Sequence, residues 1–306
     1  MTRADAGARP VVAVTGATGT VGRLVAHGLA AGGGAEVRLL VRDPDKAVRA
    51  GLPGRAVAAD FGEAGPLREA LRGADAVFVV TGDPLRPDHD ENVLAAARAA
   101  GVRRVVKLSA LAVLDAGAQD PLTRWQRDNE ERLRASGLDW TLLRPRAFMS
   151  NALGWAGSVR REGVVRGLYG SGRNACVDPR DVADAAVRAL LDPACAGRSY
   201  ALTGPEPLSP REQTDLLGEV LGRRLEFVEL TEEQAVERWR ARWPEHLVQV
   251  LLEGARRQRD GAKAAVADGV HEVTGRPARG FADWARAHAE AFGGAPVAAP
   301  GTGDSM

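Results

Sequence analysis

Lysine and tyrosine are scarce in this chain. Lys46, Lys107 and Lys263 are the only lysines among 306 residues, and Tyr169 and Tyr200 the only tyrosines. Neither tyrosine has a lysine four residues on, and no lysine stands between 107 and 263. A proton relay that sets a tyrosine and a lysine one turn apart on a helix, with the lysine lowering the tyrosine pKa, is therefore excluded. The two cysteines, Cys176 and Cys195, cannot build a disulfide framework and fit a reducing compartment. Neither has an adjacent histidine or basic pair that would mark a nucleophile. No stretch reaches the ~18–20 uninterrupted apolar residues of a membrane span. The opening MTRADAGARP lacks the apolar core of a secretory leader. The expectation is a soluble, cytoplasmic chain. A dominant charge is missing too: 41 Lys and Arg face 40 Asp and Glu, a net +1, which offers no global attraction to nucleic acid or membrane.

What is present is ordinary globular material, 45% hydrophobic and 26% charged, enough for a sizeable core. Short apolar runs alternate with helical patterns through the first half. Val11–Gly16, Glu36–Arg42, Ala56–Phe61, Ala76–Gly82, Val102–Ala110 and Trp140–Pro145 read as strands. Most are apolar throughout, as parallel strands covered on both faces are. The alternation predicts an α/β fold with a doubly wound parallel sheet. Beyond Asn151 the rhythm changes. GSVRREGVVRGLYGSGRN is glycine-rich and irregular, RSYALTG (Arg198–Gly204) returns one strand, and Ser209–Phe292 is mostly helical. The expected division is a flexible N-terminus over 1–9, a nucleotide-binding domain over 10–151, a smaller, mostly helical substrate lobe over 152–293 and a disordered tail over 294–306.

The strongest motif is VVAVTGATGTVGRLVAHGL, with glycines at 16, 19 and 22 between a strand and a helix. In that context Gly16 permits a tight turn, Gly19 a close approach of backbone to a pyrophosphate, and Gly22 close helix–strand packing. The second strand ends on Arg42 in VRDP, where an acidic residue would hold the ribose hydroxyls of NAD. Arginine suits the 2′-phosphate of NADP(H). The alternative is that Arg42 is a solvated strand end and Asp43 binds ribose.

The TGATGTVG loop, VRDP, KLSA, SGLDWTLLRPRAFMSN, VDPRDVADAAV, YALTGPEPLSPREQTDLLGEVLGR and VTGRPARGFADWARAHAEAF together resemble the NmrA-like group of atypical short-chain dehydrogenases/reductases. The likeness covers about residues 10–293. It implies a Rossmann fold and an NAD(P)H-dependent activity, since that group holds quinone and triphenylmethane-dye reductases, alongside redox-sensing proteins without turnover. Carried over by position, it places Gly16, Thr18, Gly19, Thr20, Val21 and Gly22 at the pyrophosphate and Arg42 at the 2′-phosphate. Asp60 and Phe61 fall near the adenine, Thr81 and Gly82 at the nicotinamide-side ribose, and Lys107 and Ser109 at the nicotinamide end as the candidate catalytic pair. Phe148, Met149 and Asn151 would bound the substrate pocket, with Trp125 as a further wall for a flat aromatic ligand.

The helix PLTRWQRDNEERLRASGL stands where such enzymes carry their tyrosine and lysine, and has neither. Hydride transfer is then confined to acceptors that stabilise their own charge: quinones, conjugated enones, iminium ions and dye cations. The expectation is an NADPH-dependent reductase of a small conjugated or aromatic molecule, acting as monomer or homodimer. The alternatives are an NADP(H)-sensing protein and, more weakly, an isomerase or epimerase. PDHDENV, with His89 among carboxylates, reads as an acidic helix start rather than a metal site. The other four histidines show no ligand spacing, and no metal is expected.

Overall fold

The structure is a computed structural model that describes residues 9–81, 86 and 88–295. The expected flexible terminus and tail, apart from residues 9, 294 and 295, lie outside the described residues, as does Gly82. In chain order the first elements are β1 (Val11–Thr15), α1 (Thr20–Ala31), β2 (Glu36–Val41), α2 (Pro44–Arg49), β3 (Arg55–Ala58) and α3 (Ala64–Leu71). Then come β4 (Ala76–Val79), α4 (Asp88–Ala99), β5 (Arg104–Leu108), α5 (Pro121–Arg134), β6 (Asp139–Pro145), α6 (Ala156–Glu162) and β7 (Val164–Gly167). The rest are α7 (Pro179–Leu191), β8 (Arg198–Leu202), α8 (Pro210–Leu221), β9 (Glu226–Glu229), α9 (Glu232–Arg240), α10 (Glu245–Arg259), α11 (Gly269–Thr274) and α12 (Phe281–Ala287).

Two compact units result. The first joins Met1–Pro145 with Pro179–Leu202 and Asp268–Pro277. Its seven strands run in the order β3-β2-β1-β4-β5-β6-β8, every pair parallel. Alternate residues of each strand serve opposite faces. Ala13, Leu40, Val77, Val105 and Leu142 pack with Leu67, Leu71, Val93, Ala97 and Leu133 from α3, α4 and α5. On the other face α7 lies against α1, so close that a Cβ at Gly28 would be 3.0 Å from Val187 Cγ2. Helices thus cover both faces, which is the doubly wound Rossmann arrangement, and strand order reverses between β1 and β4, the point where such sheets bind ligands. Except for β6, which ends on Pro145 as its run does, the strands end one to three residues before the apolar runs do, because the last residues leave the ladder to form the carboxyl-edge loops. Asp60, for example, accepts the Gly62 N–H at 2.8 Å and closes a turn.

The second unit joins Arg146–Asp178, Thr203–Ala267 and Ala278–Met306. Its core gathers Met149, Leu217, Phe281, Trp284 and Phe292. Two of its helices start on capping boxes legible in sequence, Ser209 with Glu212 and Thr231 with Gln234. The glycine-rich stretch after Gly157 is more regular than expected. It finishes α6 on Gly163 (φ +69°) and then supplies β7, which pairs in parallel with β9. Each of these strands has four residues and only Val165 is fully buried, too little pattern to reveal a strand. No helix among the described residues is long and apolar enough to cross a membrane.

Candidate active site

The loop after β1 is shaped by its glycines. Gly16 has φ +60°, the left-handed region that a side chain disfavours. Its carbonyl accepts the Gly19 N–H at 2.9 Å. A Cβ on Gly22 would sit 2.2 Å from that same carbonyl oxygen, so no other residue fits there without moving the loop. Gly19 is the N-cap of α1 and brings no side-chain cap, and no acidic residue occupies the first turn. Amides of a helix's first turn have no partner within the helix. Here they meet a stretch in which Thr18, Gly19 and Thr20 are exposed. This combination of bare backbone, free first-turn amides and the positive end of the helix dipole fits a pyrophosphate. Val21 is buried, anchoring the turn to the sheet.

At the end of β2, the two residues in question separate. Asp43 caps α2, accepting the Lys46 N–H at 3.0 Å, and stands 3.7 Å from Arg49. Arg42 is exposed and makes no ion pair among the described residues. Phe61 is half-buried, its ring edge-on to His89 at 5.9 Å, and its carbonyl accepts from Asn92 at 2.9 Å.

The carboxyl ends of β4 and β5 form a wall of buried polar groups. Lys107 is 0% exposed, and its Nζ donates to Asp90 Oδ1 at 2.5 Å and to Thr81 Oγ1 at 3.3 Å. Thr81 donates its own hydroxyl proton to Asp90, and Asn129 Nδ2 donates to Asp90 Oδ2 at 3.0 Å. Ser109 donates to Glu130 Oε1 at 2.6 Å. Arg144 clamps that carboxylate through two bonds of 2.9 and 2.6 Å, and Arg134 adds a third at 2.8 Å. Burial would raise the Glu130 pKa, but hydrogen bonds from Arg144 and Ser109 and the Arg144 charge hold it below the usual value. Lys107 Nζ also lies 5.6 Å from the centre of the Trp125 ring.

Lys107, Ser109, Thr81 and Trp125 are thus gathered at one edge, yet their hydrogen bonds differ from what the sequence suggests. The ammonium of Lys107 is neutralised by Asp90, and the single proton of Ser109 faces Glu130. Ser109 has lone pairs for a ligand donor, but it gives no proton to a ligand oxygen while Glu130 holds it. Asp90, Asn129, Glu130 and Arg144 escaped the sequence reading. A signal existed: Asp90 is in helical register with Val93, Leu94 and Ala97, so the acidic helix start has a buried face. Lys107 interrupts an apolar strand, and two buried opposite charges have to meet.

Phe148, Met149 and Asn151 belong to the second unit. Met149 is 3% exposed inside its core, Phe148 is half-buried and bridges Val177, and Asn151 is exposed. Neither tyrosine stands in for the missing acid. Tyr200 is 4% exposed on β8, where burial pushes its phenol up to about 12. The Tyr169 hydroxyl donates to Glu232. Burial holds the Cys176 thiol at about 11, an inert thiol. Among the described residues no group of three or more His, Cys, Asp or Glu side chains is placed to hold a metal ion.

Residues 16–193 match the NAD(P)H-binding family. The chain is 52% identical over 282 residues to (4-alkanoyl-5-oxo-2,5-dihydrofuran-3-yl)methyl phosphate reductase of Streptomyces griseus, covering 92% of this chain and 99% of that one. It is 37% identical over 291 residues to NAD(P)H azoreductase of Xenophilus azovorans, covering 93% and 100%. The crystal structure of an NADPH-dependent quinone oxidoreductase of Escherichia coli in complex with NADPH superposes with a TM-score of 0.79, at 25% identity over 90% of this chain and 98% of that one.

Proposed function

This chain belongs to the NAD(P)H-binding family, and from that premise we propose that it is an NADPH-dependent reductase of small conjugated carbonyl acceptors, with acyl-substituted unsaturated lactones as the favoured class. The segments RPRAFMSN and VTGRPARGF support membership of its NmrA-like branch. The observation that carries the reading is an intact phosphate loop beside a carboxyl edge whose helix α5 offers no tyrosine or lysine. NADPH, when bound, supplies the hydride. The loop of Gly16, Thr18, Gly19, Thr20, Val21 and Gly22 holds its pyrophosphate, and Arg42 its 2′-phosphate, since Asp43 is already engaged as a helix cap. Asp60 and Phe61 flank the adenine, and Thr81 the second ribose. Lys107 and Ser109 line the nicotinamide end. Trp125 bounds the acceptor.

The relative from Streptomyces griseus is named for a dihydrofuranone whose ring double bond is conjugated with both a lactone and an alkanoyl carbonyl. Reduction at the β carbon of such a system leaves a negative charge shared by two carbonyls, and water protonates the α carbon afterwards. An enzyme without an acid of its own is sufficient for that chemistry. NADPH absorbance followed with an acyl-butenolide phosphate, a quinone, an azo dye and a simple ketone tests the reading, with Gly19→Asp as the blank. Turnover of the conjugated acceptors and none of the ketone is expected. A ketone reduced as fast as the butenolide overturns the acceptor class, and tight NADPH binding without oxidation of any acceptor points instead to a sensor.

A further inference from the structure

Trp125 is the one member of the polar wall whose donor is idle. It sits on α5, 5% exposed, and its indole N–H is buried with no acceptor among the described residues. A buried donor left unpaired costs about 1–3 kcal/mol, and such atoms are uncommon enough to require a reason. The ring is held by more than packing. Lys107 Nζ lies over it at 5.6 Å, and Asp90 fixes that ammonium at 2.5 Å. Asn129, one helical turn after Trp125 on α5, holds Asp90 in turn. A cation on the face of an indole draws π density from the ring and leaves the N–H a stronger donor.

We propose that the Trp125 indole N–H donates a hydrogen bond to the carbonyl oxygen of the acceptor as negative charge builds there, with Lys107 as its positioning residue. The inference rests on the reductase reading above. Hydride from NADPH forms the new bond at the β carbon, the C=C electron pair moves into the carbonyl system, and water supplies the proton at the α carbon. An indole N–H is too weak an acid to give up its proton, so it steadies the oxygen without neutralising it. Turnover is thereby limited to acceptors whose anion persists until water reaches it. The donor is sealed from solvent, so ligand binding has to displace its cover, and the bond then formed has no water competing for it.

Trp125→Phe keeps an aromatic ring beneath the cation and removes the N–H together with part of the indole. On an acyl-butenolide phosphate kcat should fall about 10–100-fold, the weight of one hydrogen bond to a developing charge. A triphenylmethane dye cation, which has no carbonyl oxygen, should lose far less, and NADPH affinity should not move. Equal losses on both acceptors, or no loss on the butenolide, overturn the inference. A second measurement decides it even if wild type reduces neither acceptor, a result that would sink the reductase reading alone. In 15N-labelled protein with NADP+, a saturated acyl lactone should shift downfield the one indole N–H resonance that Trp125→Phe lacks. If that resonance stays in place at saturating lactone, the tryptophan is a packing residue and the inference fails.

Discussion

The glycine loop after β1 and the polar wall share the carboxyl edge of one sheet and are built in opposite ways. The loop works by subtraction: Gly16, Gly19 and Gly22 remove side chains so that backbone amides face outward, and Thr18 to Thr20 are exposed. The wall works by addition: Lys107, Asp90, Asn129, Ser109 and Glu130 are each at most 5% exposed, and every charge meets a partner. The first needs only local geometry. The second needs residues from the ends of β4, α4, β5, α5 and β6 to arrive together, and it should tolerate the removal of pairs better than the removal of single members.

Five variants would break or sharpen that contrast. Gly22→Val should have the largest effect. Its Cβ has no room beside the Gly16 carbonyl, and overpacking costs about 1–3 kcal/mol before the loss of the phosphate approach, so fluorescence titration should show no saturable NADPH binding. Asp90→Ala should follow, because it strands a buried ammonium, at a cost of about 3–5 kcal/mol in urea unfolding. Asp90→Leu combined with Lys107→Met should recover most of that loss, since no charge is left unpaired. Equal destabilisation by the single and double variants would show that the pair is not the organising element of the wall.

Arg42→Ala should be milder and confined to one ligand. A bond to a charged group is worth about 1.5–3 kcal/mol, so NADPH affinity should fall about tenfold or more while NADH affinity holds. Equal losses for both cofactors would return the ribose to Asp43. The smallest effect belongs to pH. The Glu130 pKa is held below the usual 4.5, so its contribution to stability is complete above pH 4.5 and fades as pH falls through the lower, folded-state value. The stability gap between wild type and Glu130→Gln should therefore be level from pH 7 to about 5 and narrow below it. A gap that widens on acidification would mean that Arg144 and Arg134 do not govern this carboxyl.

The legibility of each region follows from the same contrast. β1, β2, β4, β5 and β6 could be read because each is an apolar run bounded by turn residues, and sheet burial demands such runs. β7 and β9 could not, because four-residue strands with one buried side chain leave no periodicity to detect. The glycine spacing around α1 was legible for the same local reason, and so was the missing tyrosine and lysine in α5. The idle indole of Trp125 was not. Sequence marked it as an apolar wall residue, and only the positions of Lys107 and Asp90 around it give its N–H a task.

The sequence by itself determined the parallel sheet, the glycine loop before α1 and the absence of a tyrosine–lysine acid, because each is written in neighbouring residues through period, spacing or composition. Tertiary structure alone decided that Asp90 neutralises Lys107, that Glu130 accepts the hydrogen bond of Ser109 and that Asp43 caps a helix beside an Arg42 with no ion pair among the described residues. Buried charges and donors find their partners across 17 residues from Asp90 to Lys107 and 21 from Ser109 to Glu130. The energy that joins them comes from exclusion of water in the folded chain, a condition that no local pattern records.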